Sequence, residues 1–224
     1  MFLLLFLFLV PFAGLHASQN FTRNQGQLLN TNGLPQSDVK YYTRSKTANV
    51  FLREGVISYV FATKTNSELN ISSRSMSETL DTSNVRIYRM DMELVEANIR
   101  NPVLEDNLVS EYCNYYLAHR PNGITNVPSF EKITYAEIYN GIDMVCYFVN
   151  DDFKYDFVVH PGADPNQIRM RFTGGEVIMK DDGALVIQSD YGSLYQDIPI
   201  TYQEDPRGNR KEIRNSYLLP GIFW

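Results

Sequence analysis

The chain has 224 residues, a net charge of −6 at pH 7 and 13% aromatic residues, most of them Tyr and Phe. This length can bury a sizeable core in one large domain or two small ones. Its acidic balance argues against nucleic acid and anionic membrane surfaces as partners, because both repel a negatively charged protein.

Residues 1–17 have the pattern of a signal peptide. The opening run MFLLLFLFLV is wholly apolar, Pro11 breaks it, and small residues precede the predicted cleavage after Ala17. The run is shorter than the roughly 20 residues of a transmembrane helix, and it fits the h-region of an export signal. An uncleaved anchor or a buried strand is the alternative. We predict a secreted or cell-surface protein with no transmembrane segment after the signal.

Strand patterns dominate the first half of the remaining chain. Alternation of apolar and polar residues predicts strands at Val39–Thr43, Ala48–Glu54, Val56–Thr63 and Val85–Val95. In the last of these, Tyr88, Met90, Met92 and Leu94 share one face. Residues 65–84 are mostly Ser, Thr and Asn, a composition that predicts a flexible polar loop.

The second half also consists of short strands separated by turns. Strands are predicted at Tyr112–Leu117, Ile142–Phe148, Val177–Met179, Ala184–Gln188 and Glu212–Leu219. A loop is predicted around 121–123, and turns at 150–152, 180–183 and 205–209. No helical periodicity of ten or more residues follows the signal peptide. The sequence therefore predicts an all-β fold, an antiparallel β-sandwich-like domain over residues 18–224.

The two cysteines, Cys113 and Cys146, allow two interpretations. In an oxidising compartment they could form a disulfide, which would stabilise the fold by roughly 3–4 kcal/mol. Alternatively, both are small apolar core residues. Cys146 shares a strand face with Met144 and Phe148, which favours its burial and leaves the pairing open.

The chemical motifs are sparse, so we predict no cofactor and no catalytic residue. The histidines left after cleavage, His119 and His160, belong to no metal-spaced pair, and neither G-x-S-x-G nor H-E-x-x-H occurs. Asp151-Asp152 and Asp181-Asp182-Gly183 are candidate calcium ligands, although such clusters more often form ordinary turns.

Asp143 and Asp156 form the one carboxylate pair that could support hydrolysis. They lie on strands joined by a tight turn, and glycoside hydrolysis needs two carboxylates about 5–10 Å apart across a cleft. Alternation places Asp156 away from the aromatic face of its strand. Close acidic pairs are expected by chance in a chain with 26 acidic residues.

Several motifs taken together resemble one bacterial domain family. We call their principal members the hallmark residues: Asn24, Gly26 and Gln27 in FTRNQGQ; Gly141 and Asp143 in IYNGID; Tyr155 and Asp156 in YDFVV; Pro161, Gly162, Asp164 and Pro165 in PGADP; and Tyr202 and Gln203 in YQE. With them, the chain resembles the N-terminal domain of large exported bacterial surface proteins that carry SBBP β-propeller repeats, PKD domains or gliding-motility sorting domains.

This resemblance implies an extracellular module of Bacteroidota-like bacteria, often exported by the type IX system and without established enzymatic activity. Downstream domains of the same polypeptide would be its partners. The chain departs from the family at Glu96, where Gly is usual, so a different local turn is expected there. The family also continues beyond the position of Trp224, so we expect a truncated chain that lacks C-terminal strands, with a natural stand-alone domain as the alternative.

The hallmark residues also have purely structural interpretations. Asn140-Gly141 predicts a turn that sets the register of the next strand. Pro161-Gly162 ends a strand. Asp164 is predicted to cap a following turn by accepting a hydrogen bond from the amide of Asn166 or Gln167.

Three functions are compatible with these observations. The favoured one is a non-catalytic structural or adhesion module, the N-terminal part of a larger surface protein that contacts a glycan or protein. The second is a carbohydrate-binding module whose exposed Tyr41, Tyr42, Tyr191 or Tyr195 would form a platform for sugar rings. The third is a hydrolase that uses the Asp143 and Asp156 pair.

Overall fold

The structure is a computed structural model that describes residues 19–30, 32–45, 48–64, 85–214 and 216–219. The predicted signal peptide, the predicted loop at 65–84 and the last five residues lie outside the described residues. The described residues divide into two compact units, the first ending at Arg171 and the second beginning at Phe172.

The first unit is built around a ten-stranded antiparallel sheet with a separate two-stranded ribbon. Its strands are β1 (Phe21–Arg23), β2 (Val39–Arg44), β3 (Asn49–Arg53), β4 (Val56–Lys64), β5 (Val85–Leu94), β6 (Val103–Leu108), β7 (Cys113–Leu117), β8 (Arg120–Val127), β9 (Ser129–Tyr139), β10 (Ile142–Val149), β11 (Asp152–Val159) and the start of β12 (Met170–Thr173), within which the boundary between the units falls. The sheet order is β11-β10-β9-β1-β2-β3-β4-β5-β12, with β6 also paired to β9, while β7 and β8 form the ribbon.

Alternation of buried and exposed residues explains why these segments are strands. In β2 and β3 every second side chain is buried, and in β5 Met90, Met92 and Leu94 are buried on one face as predicted. Each large apolar side chain that is fully buried contributes about 1.5–3 kcal/mol to folding. The largest fully buried side chains of this unit are Phe21, Val39, Val50, Leu52, Ile57, Met90, Met92, Ile133, Ile138, Ile142 and Met144.

The large sheet curls so that its ends face each other. The Phe153 ring on β11 lies 6.0 Å from the Tyr59 ring on β4 and 6.1 Å from the Phe21 ring on β1. The Tyr155 hydroxyl on β11 lies 3.7 Å from the Met170 sulfur on β12. Strands far apart in the sheet order therefore share one core, and the predicted all-β, antiparallel, sandwich-like fold is confirmed.

The second unit contains two small antiparallel sheets. Its strands are β13 (Glu176–Met179), β14 (Leu185–Ser189), β15 (Gly192–Gln196), β16 (Thr201–Glu204) and β17 (Arg210–Ile213). The first three strands form one sheet in which Leu185, Val186 and Ile187 are buried, and the last two form a hairpin. The predicted turns at 180–183 and 205–209 both connect paired strands.

Two predictions of local structure are wrong. The predicted loop at 121–123 lies inside β8, which among the described strands pairs with β7 alone. Pro121 is tolerated there because a ribbon strand has a free edge. The predicted strand Glu212–Leu219 is shorter and begins earlier, since β17 covers Arg210–Ile213. Its four residues are exposed, so no buried face extends it.

Candidate functional site

The N-x-G-Q motif after β1 forms a loop that bonds to itself and to β2. The Asn24 Nδ2 donates to the carbonyls of Gln36 and Val39 at 2.8 and 2.9 Å. The Asn24 Oδ1 accepts from the amide of Gly26 at 3.0 Å. Both ends of the Asn24 side chain are therefore committed to backbone groups of the protein itself.

Gln27 is buried beneath the same loop. Its Nε2 donates to the Arg23 carbonyl at 2.7 Å and to the Tyr42 hydroxyl at 3.2 Å, and its Oε1 accepts from the Gln25 amide at 2.6 Å. The Tyr42 hydroxyl also bonds the Tyr115 hydroxyl at 2.7 Å. Burial raises the pKa of both tyrosines, so this chain of hydrogen bonds stays neutral and ties β7 to β2.

Gly26 makes room for the tip of the β7–β8 ribbon. Its φ of +100° suits glycine, and a Cβ at this position would overlap the Arg120 guanidinium. The His119 Nε2 lies 3.2 Å from the Gly26 carbonyl oxygen. The ribbon tip therefore rests directly on the backbone of the motif.

These contacts border a cleft of about 600 Å³ in the first unit. Its walls come from the 23–26 loop, β2, the β3–β4 turn, the segment around 98–103, the middle of β9 and the ribbon tip. The lining residues are Arg23, Asn24, Gln25, Gly26, Pro35, Ser37, Val39, Lys40, Tyr41, Arg53, Glu54, Gly55, Asn98, Ile99, Asn101, Val103, Arg120, Tyr135 and Ala136. This volume is typical of a small-molecule site.

One side of the cleft contains a charged cluster that the sequence did not reveal. The Arg23 guanidinium makes a bidentate ion pair with Glu105, and the Tyr41 hydroxyl donates to the same carboxylate at 2.6 Å. The hydrogen bond to Glu105 raises the pKa of Arg23, and burial together with Glu105 raises that of Tyr41. The cluster links β1, β2 and β6, strands that are far apart in sequence.

The second group of hallmark residues stabilises a bulge in β9. Glu137 has a φ of +47°, and the pairing of β9 with β10 shifts register beside it. The Asp143 Oδ1 accepts from the Glu137 amide at 2.7 Å, and its Oδ2 lies 2.9 Å from the His160 Nε2. Partial burial opposes ionisation of Asp143, but the amide and the imidazole outweigh it and lower its pKa.

The turn of the same hairpin depends on Gly141. Its φ is +70°, and a Cβ there would lie 2.9 Å from the Ala163 Cβ. The Gly141 carbonyl accepts from the His160 amide at 2.9 Å. Pro161-Gly162 then turns the chain, with a φ of +90° at Gly162.

Asp164 caps a single 3₁₀ turn at Pro165–Gln167. Its Oδ1 accepts from the Asn166 amide at 3.0 Å, which confirms the predicted cap. The cap orders the connection between β11 and β12. In the PGADP motif, Asp164 therefore acts on the protein's own backbone.

Asp143 and Asp156 share the outer face of the β10–β11 hairpin. Asp143 pairs with Val158 and Asp156 with Val145, so neither side chain points toward the aromatic inner face. The Asp156 Oδ2 accepts from the Tyr147 hydroxyl at 2.8 Å. Tyr155 lies on the inner face, where its ring packs 5.9 Å from Phe157. The two carboxylates thus lie on a strand surface and not among the residues of the cleft.

In the second unit, Tyr202 and Gln203 lie on β16. They pair with Glu212 and Lys211 of β17. The Arg210 guanidinium lies 4.2 Å from the centre of the Tyr202 ring, a cation–π contact. Tyr202 is exposed, so this contact orders a surface hairpin.

The disulfide considered from the sequence is not present. Cys113 is exposed on β7, and Cys146 is buried on the inner face of β10, so both are free thiols. Burial raises the pKa of Cys146 well above its usual value, which keeps it a neutral core residue.

The candidate calcium sites are parts of hairpin turns. Asn150 and Asp151, with φ of 50° and 66°, form the two-residue turn between β10 and β11. The Asp182 Oδ1 accepts from the Ala184 amide at 3.0 Å in the β13–β14 turn. In the part of the chain that the structure describes, no three His, Cys, Asp or Glu residues group as metal ligands. Calcium binding stays a prediction.

The predicted tyrosine platform is wrong for two of its four members. Tyr41 is 7% exposed, and Tyr42 is half-buried, with its ring stacked on Phe51 and its hydroxyl bonded to Tyr115, so neither belongs to an exposed platform. Their strand lies in the centre of the sheet, which explains this burial. Tyr191 and Tyr195, in the second unit, are 42% and 70% exposed.

Glu96, the position that departs from the family, lies in a turn after β5. Its φ is +60°, a left-handed conformation that favours glycine. The turn contacts the core sheet through the Asn98 amide, which donates to the Ile138 carbonyl at 2.7 Å. Glu96 also forms an exposed ion pair with Arg169 at 3.2 Å.

The fold and these motifs define a β-rich module whose polar motif residues build loops and turns. The chain belongs to the family described as a domain of unknown function (DUF7948), whose model matches residues 21–222. No curated protein and no solved structure is significantly similar to it. Among the described residues, no helix is long and apolar enough to cross a membrane.

Proposed function

We propose that this chain is a non-catalytic structural or adhesion module, the N-terminal part of a larger exported bacterial surface protein. Residues 1–17 would direct export in a Bacteroidota-like host, in the context of SBBP repeats, PKD domains or type IX sorting domains that the sequence resemblance implies. Its partners would be downstream domains and a surface glycan or protein.

One observation carries this proposal: the polar hallmark residues act on the protein's own backbone. Asn24 and Gln27 hold the loop after β1, Asp143 holds the bulge in β9, and Asp164 caps the turn before β12. A catalytic family would be expected to direct such groups into a common cleft. Here the polar hallmark residues are distributed over separate loops and turns, which is typical of a structural module whose surface contacts other molecules.

Export can be tested by expressing the full chain with a C-terminal tag in a Bacteroidota host. We expect a product that starts after Ala17 and that is recovered outside the cytoplasm. The matched control carries Leu4→Arg and Leu7→Arg, which interrupt the apolar run and should retain the chain inside. A wild-type product that keeps Met1 and stays in the cytoplasm would contradict the proposal.

A further inference from the structure

The cleft beside the N-x-G-Q motif differs in charge from the protein as a whole. The chain has a net charge of −6. Arg23, Lys40, Arg53 and Arg120 line the cleft, with Glu54 as the one lining acid. A cleft in which one sign of charge is in excess attracts ligands of the opposite sign.

Three of these four cations already have acidic partners. The ion pairs are Arg23 with Glu105, Lys40 with Glu54 at 3.0 Å, and Arg53 with Asp38 at 2.6 Å. These three cations form part of the cleft wall, and their charges are largely neutralised by the paired carboxylates. The remaining positive charge belongs to the fourth cation.

That fourth cation, Arg120, is positioned but unpaired. Its guanidinium rests against Gly26 at the cleft border, where any side chain would displace it. Within the described ranges, no carboxylate lies within ion-pairing distance of Arg120, and its side chain makes no hydrogen bond. Gly26 thus leaves room for a planar five-donor group in the lining of the cleft, with its donors available.

We propose that this cleft binds an oligosaccharide that carries a carboxylate, such as a uronic acid, with the Arg120 guanidinium pairing with that carboxylate. A guanidinium fork matches the two oxygens of a carboxylate. The rest of the lining suits sugar rings, because amide side chains alternate with apolar ones. The amides are Gln25, Asn98 and Asn101, and the apolar contacts include Pro35, Ile99 and Val103.

This inference deepens the adhesion role proposed above by naming a ligand class. Its test uses purified protein in solution, so failure of binding would leave the export result unaffected. Conversely, a chain that stays in the cytoplasm could still bind the sugar. The two failures are therefore distinguishable.

The experiment is isothermal titration calorimetry of the full chain with trigalacturonic acid. Fully methyl-esterified trigalacturonic acid is the matched neutral ligand, and inorganic pyrophosphate is the matched anion without sugar rings. Arg120→Gln removes the fork, Arg120→Lys keeps the charge without it, and Arg207→Gln removes an equal charge from the exposed β16–β17 turn. Thermal unfolding of each variant reports whether its fold is intact.

We expect the acid to bind and its methyl ester and pyrophosphate to bind much more weakly. Loss of a charge-assisted bidentate contact should weaken binding by about tenfold or more in Arg120→Gln. Arg120→Lys should fall between that variant and the wild type, and Arg207→Gln should match the wild type. Equal binding of acid and ester, preference for pyrophosphate, no binding at all, or an unchanged Arg120→Gln would each overturn the proposal.

Discussion

Replacing Glu96 with glycine should stabilise the protein, although it removes an ion pair. The residue holds a φ of +60°, and left-handed geometry costs a residue with a Cβ about 1–2 kcal/mol. Its ion pair with Arg169 has side chains 75% and 63% exposed, so it contributes about 0.5 kcal/mol. The greater conformational freedom of glycine in the unfolded chain lowers the stability gained from relief of the strained φ by about 0.5–1 kcal/mol.

The three contributions sum to a net change for Glu96→Gly between about −0.5 and about +1 kcal/mol, so the net gain is small. The sharper measurement is the difference in stability between Glu96→Gly and Glu96→Ala. Both variants lose the carboxylate, but alanine keeps the strained φ. We expect Glu96→Gly to exceed Glu96→Ala by about 1 kcal/mol in the free energy of unfolding, measured by urea titration followed by circular dichroism. Equal stability of the two variants would refute the argument that the backbone at this position is strained.

Three further predictions concern the hallmark loops and a turn. Asn24→Ala should lower the free energy of unfolding by about 2–3 kcal/mol, because the backbone groups that bond to the Asn24 side chain lose their partner. The control Asn32→Ala, at an exposed position, should change the free energy of unfolding by less than about 0.5 kcal/mol. The pKa of Asp143 is lowered in the folded protein, so the stabilisation by its carboxylate is complete above the unfolded pKa of 3.8 and is lost as pH falls through the folded pKa. Asp143→Asn lacks this carboxylate, so its free energy of unfolding should fall less than that of the wild type below about pH 4 in an acid titration. Asp151→Gly should raise the melting temperature, and Asp151→Ala should not, since φ there is 66°; equal shifts would contradict the turn geometry.

Local signals in the sequence predicted much of the fold. Alternation identified β2 to β5 and β10, and the residues around 150–152 and 180–183 identified hairpins, because these features depend only on neighbouring residues. By contrast, β6 and the continuation of β8 through Pro121 were missed. Their strand character comes from pairing with β9 and β7, and neither segment has a clear alternating pattern of its own.

The candidate site was less predictable than the fold. The Asn24 and Gln27 motif was recognised, and the Asp164 cap could be deduced from its spacing. The cleft depends on Arg23, Glu105 and Arg120, which are far apart in sequence. Arg23 and Glu105 come together only when β1 and β6 join the sheet, and Arg120 reaches the cleft only when the ribbon folds onto Gly26. The burial of Tyr41 was missed for the same reason, since it depends on which strands flank β2.

The place of β1 in the sheet has a consequence for how the chain folds. This three-residue strand pairs with β2 nearby and with β9 far along the chain, where Thr22 and Ser129 are 107 positions apart. Contacts of such high sequence separation slow folding, because a long loop must close before they form. During synthesis, the N-terminal motif therefore cannot reach its final environment until β9 has emerged.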